Sequence, residues 1–177
     1  MNRLKRLAVL SLGIAVAVPA LVFAHDYAND SRKATTALNA GDDQVVSFTY
    51  APMHWRPETF DSIAGNERMR TSFNTQRLPK IVAVKASQGL TFGDAKVPAG
   101  DCTAGFNVDE KGTWYFIVND KDGKTIAKTA LTLNKTGDTY DHLEMVALPG
   151  ATANGGVLKV RYGTWSGNVE FTYGASQ

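Results

Sequence analysis

From Gln44 onward, apolar and polar residues alternate in short runs separated by turn residues. Val46, Phe48 and Tyr50 alternate in the first run, and Cys102, Ala104, Phe106 and Val108 share one phase in a later one. Near the C-terminus, Leu143/Met145/Ala147, Leu158/Val160/Tyr162 and Val169/Phe171/Tyr173 each form an apolar face. Their opposite faces carry His142/Glu144, Lys159/Arg161 and Glu170/Thr172. A period of two places successive side chains on opposite sides of a half-buried strand. Residues 80–86 (KIVAVKA) are nearly all apolar, which suits a strand covered on both faces. Further strands are expected at 90–92, 113–119 and 124–134, with turns at Gly93-Asp94, Glu110-Lys111-Gly112 and Asp120-Lys121-Asp122-Gly123. Turn signals at about 8–12-residue spacing and no sustained helical period predict an all-β fold, an antiparallel β-sandwich of about nine strands. Phe48, Cys102, Phe106, Leu143, Val160 and Phe171 lie on the apolar phases and are expected in its core.

Two segments depart from this pattern. Residues 25–43 (HDYANDSRKATTALNAGDD) are polar, small and aperiodic, and read as an arm ahead of a single domain over 44–177. Residues 52–79 interrupt the strands as an irregular insertion, with a short helix expected around Thr59–Ala64. A structureless connection of that length inside a compact domain is often functional.

The first 24 residues have the make-up of a cleaved signal peptide. Arg3, Lys5 and Arg6 precede the apolar run Leu7–Phe23, and Val22-Phe23-Ala24 presents a cleavage-like end before the polar His25. The expected location is periplasmic or secreted, with no stable membrane anchor after cleavage. This segment also alters the charge. The whole chain carries 19 basic and 17 acidic residues, but three of the basic ones lie in the first 24 positions, so the remainder is −1. No basic surplus is left to bind nucleic acid. The single cysteine, Cys102, forms no internal disulfide and, on its strand phase, reads as a small packing residue.

The order of an apolar strand, a Val97-Pro98-Ala99-Gly100 turn, an alternating strand and a Gly112-x-Trp114 strand ending in Val118-Asn119 resembles a bacterial family. It is a domain-of-unknown-function family of secreted β-sandwich proteins, and Phe48-Thr49-Tyr50-Ala51-Pro52 and Leu158–Tyr162 extend the likeness over roughly residues 35–175. Tyr50 and Pro52 are one residue closer than that family's spacing, Cys102 stands where the family usually has Tyr, and its Trp-Arg-x-Gly-Ala-Asn segment is missing at the equivalent place. The resemblance implies a fold and an exported location and no activity.

Catalytic motifs are absent from the sequence: there is no Gly-rich phosphate loop, nucleophile elbow, His-Glu-x-x-His or Cys-x-x-Cys. No enzymatic activity is therefore expected. Asp120–Gly123 superficially matches a calcium loop, but Val118 and Thr129 stand where its end ligands belong, so the segment reads as a hairpin turn. Three sets of side chains remain as candidates. His54, Trp55, Arg56 and Glu58, in the insertion, combine an aromatic ring with a forked cation that can stack on a ligand or grip a carboxylate. His142 and Glu144 share a strand face, either as two metal ligands or as solvated residues. His25, if it becomes the mature N-terminus, offers an α-amine and an imidazole, which with His54 or His142 make a nitrogen set suited to copper.

Three functions stay open on these grounds. The first is a non-catalytic binding or accessory module, without cofactor, for an unknown small ligand or envelope protein. The second is a copper-binding protein or redox enzyme using His25 with His54 or His142. The third is a structural envelope component that makes contacts through its strand edges.

Overall fold

The computed structural model describes residues 32–40 and 43–174; the signal peptide expected over residues 1–24, and His25, lie outside the described residues. The chain is an antiparallel β-sandwich, as the alternation predicts. In chain order the elements are β1 (Ala34–Ala40), β2 (Asp43–Tyr50), α1 (Pro57–Gly65), α2 (Glu67–Gln76), a one-turn 3-10 helix (Leu78–Lys80), β3 (Val82–Ala86), β4 (Leu90–Phe92), β5 (Ala95–Val97), β6 (Gly100–Val108), β7 (Trp114–Asn119), β8 (Thr125–Ala130), β9 (Asn134–Pro149) and β10 (Gly155–Tyr173). One sheet has the order β1-β2-β3-β6-β7-β8 and the other β5-β4-β10-β9.

The core lies between the sheets and holds Phe48, Phe106, Leu143, Val160 and Phe171, each on the phase its strand predicts. The rings of Phe48, Phe92 and Phe116 reach one another through Phe171 and Phe92, at centroid separations of 5.7–6.0 Å. Tyr50 fastens the sheets together by polar contact. Its hydroxyl accepts from the Met145 N–H at 2.9 Å and lies 3.4 Å from the Met145 carbonyl.

Several elements differ from the sequence expectation, each for a physical reason. Residues 34–40 are not part of an arm: they form β1, paired with β2 from Ala34↔Tyr50 to Ala40↔Asp43. This edge strand buries only Leu38 and holds its place with hydroxyls, so it shows little hydrophobic alternation. Thr35 meets Thr49 at 2.9 Å, and Thr36 Oγ1 accepts from the Ala147 N–H of β9 at 2.8 Å. The insertion over 52–79 is ordered rather than irregular. The short helix expected at Thr59–Ala64 extends to Pro57–Gly65, with Pro57 at the first turn where its missing N–H costs nothing. A second helix follows at once. The Asn66 side chain caps it by accepting from the Met69 N–H at 3.1 Å, and its sequence, ERMRTSFNTQ, buries no residue fully, which hides it from a search for apolar stripes.

Among the described residues the strand count also shifts, to ten, with β1 one of two additions. β5 adds a short strand, and the two runs 156–162 and 167–173 are one continuous β10 bent at Gly163. β3 is covered on one face only: Val82, Val84 and Ala86 are buried while Ala83 and Lys85 are exposed. The apolar Ile81 that lengthened its run lies just before the strand, after the 3-10 turn. Asp120 makes the expected hairpin turn, its Oδ1 accepting from the N–H groups of Asp122 and Lys124, each at 2.9 Å.

Cys102 is half-buried rather than buried. It keeps the core phase, opposite Val84 and packed against the core, but sits near the start of β6 where cover is thinner. Burial, with the Asp101 carboxylate as the smaller cause, pushes its thiol up from 9.0 to about 11. A shift of two units leaves roughly 100-fold less thiolate at neutral pH. Alkylation by iodoacetamide, followed by mass spectrometry, should therefore be roughly 100-fold slower for the native than for the denatured protein at pH 8. Between pH 9 and pH 11 the unfolded chain releases this proton and the folded chain retains it, so the group's contribution to stability should fall over that window. Equal alkylation rates in the two states would contradict the packing of Cys102.

Candidate functional site

The helices are placed by a mismatch in strand length. β3 begins at Val82 opposite Ala104, yet β6 runs on to Val108, so residues 105–108 lack a strand partner on that side. Asn74 of α2 fills part of the gap: its Nδ2 donates to the Val108 carbonyl at 2.8 Å and its Oδ1 accepts from the Val108 N–H at 3.0 Å. One side-chain amide thus does what an adjacent strand residue would do. The 3-10 turn docks beside it. Gly105 permits this approach, since a methyl group there would overlap the Leu78 carbonyl. Asn119, buried on β7, donates to the Pro79 carbonyl at 2.8 Å and accepts from the Thr125 hydroxyl at 2.7 Å.

Under this helical cover lies a half-open cavity of about 330 Å³. The six-stranded sheet supplies Phe106 and Trp114, and the other sheet supplies Leu143, Val160, Tyr162 and Trp165. Phe60, Ile63, Phe73 and Leu78 close it from the helical side, and Leu131 and Leu133 from the β8–β9 connection. Thr59, Arg77 and the phenol of Tyr162 are the polar side chains among its walls. The Phe60 ring stacks nearly parallel to Trp114 (4.8 Å, 6°) and to Trp165 (6.0 Å, 20°), so three aromatic residues gather in the cavity wall. Its size is at the small end of the range in which ligand pockets occur.

None of His54, Trp55, Arg56 and Glu58 lines this cavity. They form the strap that carries the chain from β2 into α1. Trp55 is half-buried, edge-on to Tyr162 at 4.8 Å and 5.2 Å from Phe60, and lies flat against the backbone of Gly163. That glycine, at φ +59, bends β10 and has no space for a Cβ beneath the indole. The Arg56 carbonyl accepts from the N–H groups of Thr59 and Phe60, each at 3.1 Å, which starts α1. Glu58 is exposed in the first turn, where its charge favours the helix dipole. His54 is exposed and faces His142 across an isolated β-bridge. Glu144, on the same strand face as His142, is engaged by Arg161 at 3.5 Å. Among the described residues no three His, Cys, Asp or Glu side chains converge on a metal position.

The cavity residues were readable only in part. Trp114 shares the phase of Phe116 and Val118, a sign that it points between the sheets. Trp165 gives no such sign, because the bend at Gly163 shifts the phase of β10 just before it. Phe60 and Phe73 could be placed only once both helices were known.

Comparison with family models, curated proteins and solved structures finds no match to this chain. The fold and cavity define it as an antiparallel β-sandwich whose open end is capped by a helical pair over an aromatic cavity.

The capping amide has a measurable consequence. Asn74→Ala leaves the Val108 N–H and carbonyl without their partner and should cost about 1–3 kcal/mol in urea denaturation. An unchanged midpoint would show that water replaces the amide without loss.

Proposed function

We propose that this chain is an exported binding module, periplasmic or secreted, that holds a small apolar, ring-containing molecule in the cavity beneath α1 and α2. The observation that carries this reading is the cavity itself: about 330 Å³ with mostly apolar walls that include the stacked rings of Phe60, Trp114 and Trp165. A monomer gains stability by filling such a space with its own side chains, and each unfilled volume of this kind carries a packing cost that a ligand can remove. The polar side chains of the wall, Thr59, Arg77 and Tyr162, are few and suit orienting a ligand. Export is supported by Arg3, Lys5 and Arg6, the apolar run Leu7–Phe23 and the Val22-Phe23-Ala24 end. Among the described residues no helix is long and apolar enough to cross a membrane.

Two experiments test the reading. N-phenyl-1-naphthylamine, a small apolar bicyclic fluorophore, should bind saturably at one site and quench tryptophan emission, since Trp114 and Trp165 both lie in the wall. Leu133→Trp, which fills the cavity from one side, should reduce that binding by more than about tenfold while the thermal midpoint stays within a few degrees. Binding that is unaffected by the filled cavity would place the probe elsewhere and remove the proposal. For export, the intact mass of protein recovered from the periplasm of an expressing bacterium should correspond to a chain beginning at His25. A mass that retains residues 1–24 would contradict cleavage.

A further inference from the structure

The two described histidines, 88 positions apart in the sequence, are brought face to face by the strap between β2 and α1. At His54 the strap meets the edge of β9. The Trp55 N–H donates to the Asp141 carbonyl at 2.6 Å, and the Leu143 N–H donates to the Met53 carbonyl at 2.8 Å. These bonds flank the His54↔His142 pair, which makes it a non-hydrogen-bonded pair, the position at which facing side chains on antiparallel backbones come closest. The two imidazoles project on one side, with ring centroids 5.1 Å apart and planes tilted by 55°.

We propose that His54 and His142 bind one divalent transition-metal ion of the copper–zinc class through one ring nitrogen each. The separation suits this. A metal about 2.0–2.1 Å from a ring nitrogen lies about 3.2 Å from that ring's centroid, so two imidazoles on one tetrahedral ion have centroids about 5.2 Å apart. The ligand type suits it as well, since imidazole prefers copper, zinc and nickel over the hard cations. Two imidazoles opposed in this way repel when both are protonated, whereas a metal ion that takes both in neutral form turns their proximity into chelation.

The backbone holds the pair in place without the metal. The Tyr162 hydroxyl donates to the His54 carbonyl at 2.9 Å, and the Trp55 ring beside it is wedged against Tyr162 and Gly163. His54 is exposed and His142 half-exposed, so water can reach the ion and complete its coordination. Glu144 pairs with Arg161, and among the described residues no third His, Cys, Asp or Glu joins the two imidazoles. This proposal is independent of the apolar cavity, whose walls include neither histidine.

The test is a Cu²⁺ titration of the untagged full chain followed by electron paramagnetic resonance. The wild type should take up one Cu²⁺ with hyperfine structure from two imidazole nitrogens. His54→Ala and His142→Ala should each weaken binding by at least the roughly 10–100-fold that loss of an outer-sphere partner costs a metal site. His142→Phe retains a flat ring at the bridge without a donor nitrogen and should weaken binding equally, which separates ligation from folding. Binding that survives both His54→Ala and His142→Ala overturns the proposal. Binding lost only on His25→Ala does so too, by placing the ion on the N-terminal segment.

Discussion

The site depends on one shortfall: β3 begins opposite Ala104, while β6 continues to Val108. A sheet edge buried without partners would leave backbone donors and acceptors unpaired, at a cost comparable to the net worth of several hydrogen bonds. The chain resolves this with side chains and short helices in place of a strand. Asn74 pairs with Val108, Asn119 holds the 3-10 turn through Pro79, and the absence of a side chain at Gly105 lets that turn approach. A helical pair cannot follow the pleat of a strand. It bridges the two sheets instead of filling the space between them, and the cavity is what remains beneath.

The sandwich was legible because its strands are half-buried and each core residue repeats at a period of two. Phe48, Phe106, Leu143, Val160 and Phe171 were identified by that rule and are buried. The rule fails where burial does not alternate. β1 is an edge strand of alanines and threonines held by hydroxyls, and α2 presents no apolar stripe, so neither announced itself. β10 is an instructive case. Leu158 and Val160 are buried at even positions and Val169 and Phe171 at odd ones. That change of phase is the mark of a bulge within one strand, and it also reads as a break between two.

The candidate site was legible in location but not in composition. The insertion over 52–79 does cover one end of the sandwich, and His54 and His142 do meet. The Trp55 ring rests on Gly163, and the Arg56 carbonyl starts α1. The cavity walls come from separate parts of the chain spread from Ala51 to Trp165, and side chains that converge only in space leave no spacing to read. Aromatic residues serve both in cores and in ligand pockets, so residue type alone does not separate the two uses.

The connectivity of the second sheet has a kinetic consequence. β4 and β5 pair with each other, and their remaining neighbour is the end of β10, through Thr91↔Thr172 and Leu90↔Tyr173. A growing chain that stops before Thr172 therefore holds β4–β5 as a lone two-stranded hairpin, a form marginal in water. Within the first sheet, β1–β2 and β6–β7–β8 join neighbours close in sequence and can pair early, whereas β2–β3 spans the insertion, β3–β6 spans the β4–β5 hairpin, and closure of the sandwich waits for the last strand to arrive. Until then the inner face of the first sheet, Phe48, Phe106 and Phe116 included, is exposed to whatever escorts the nascent chain.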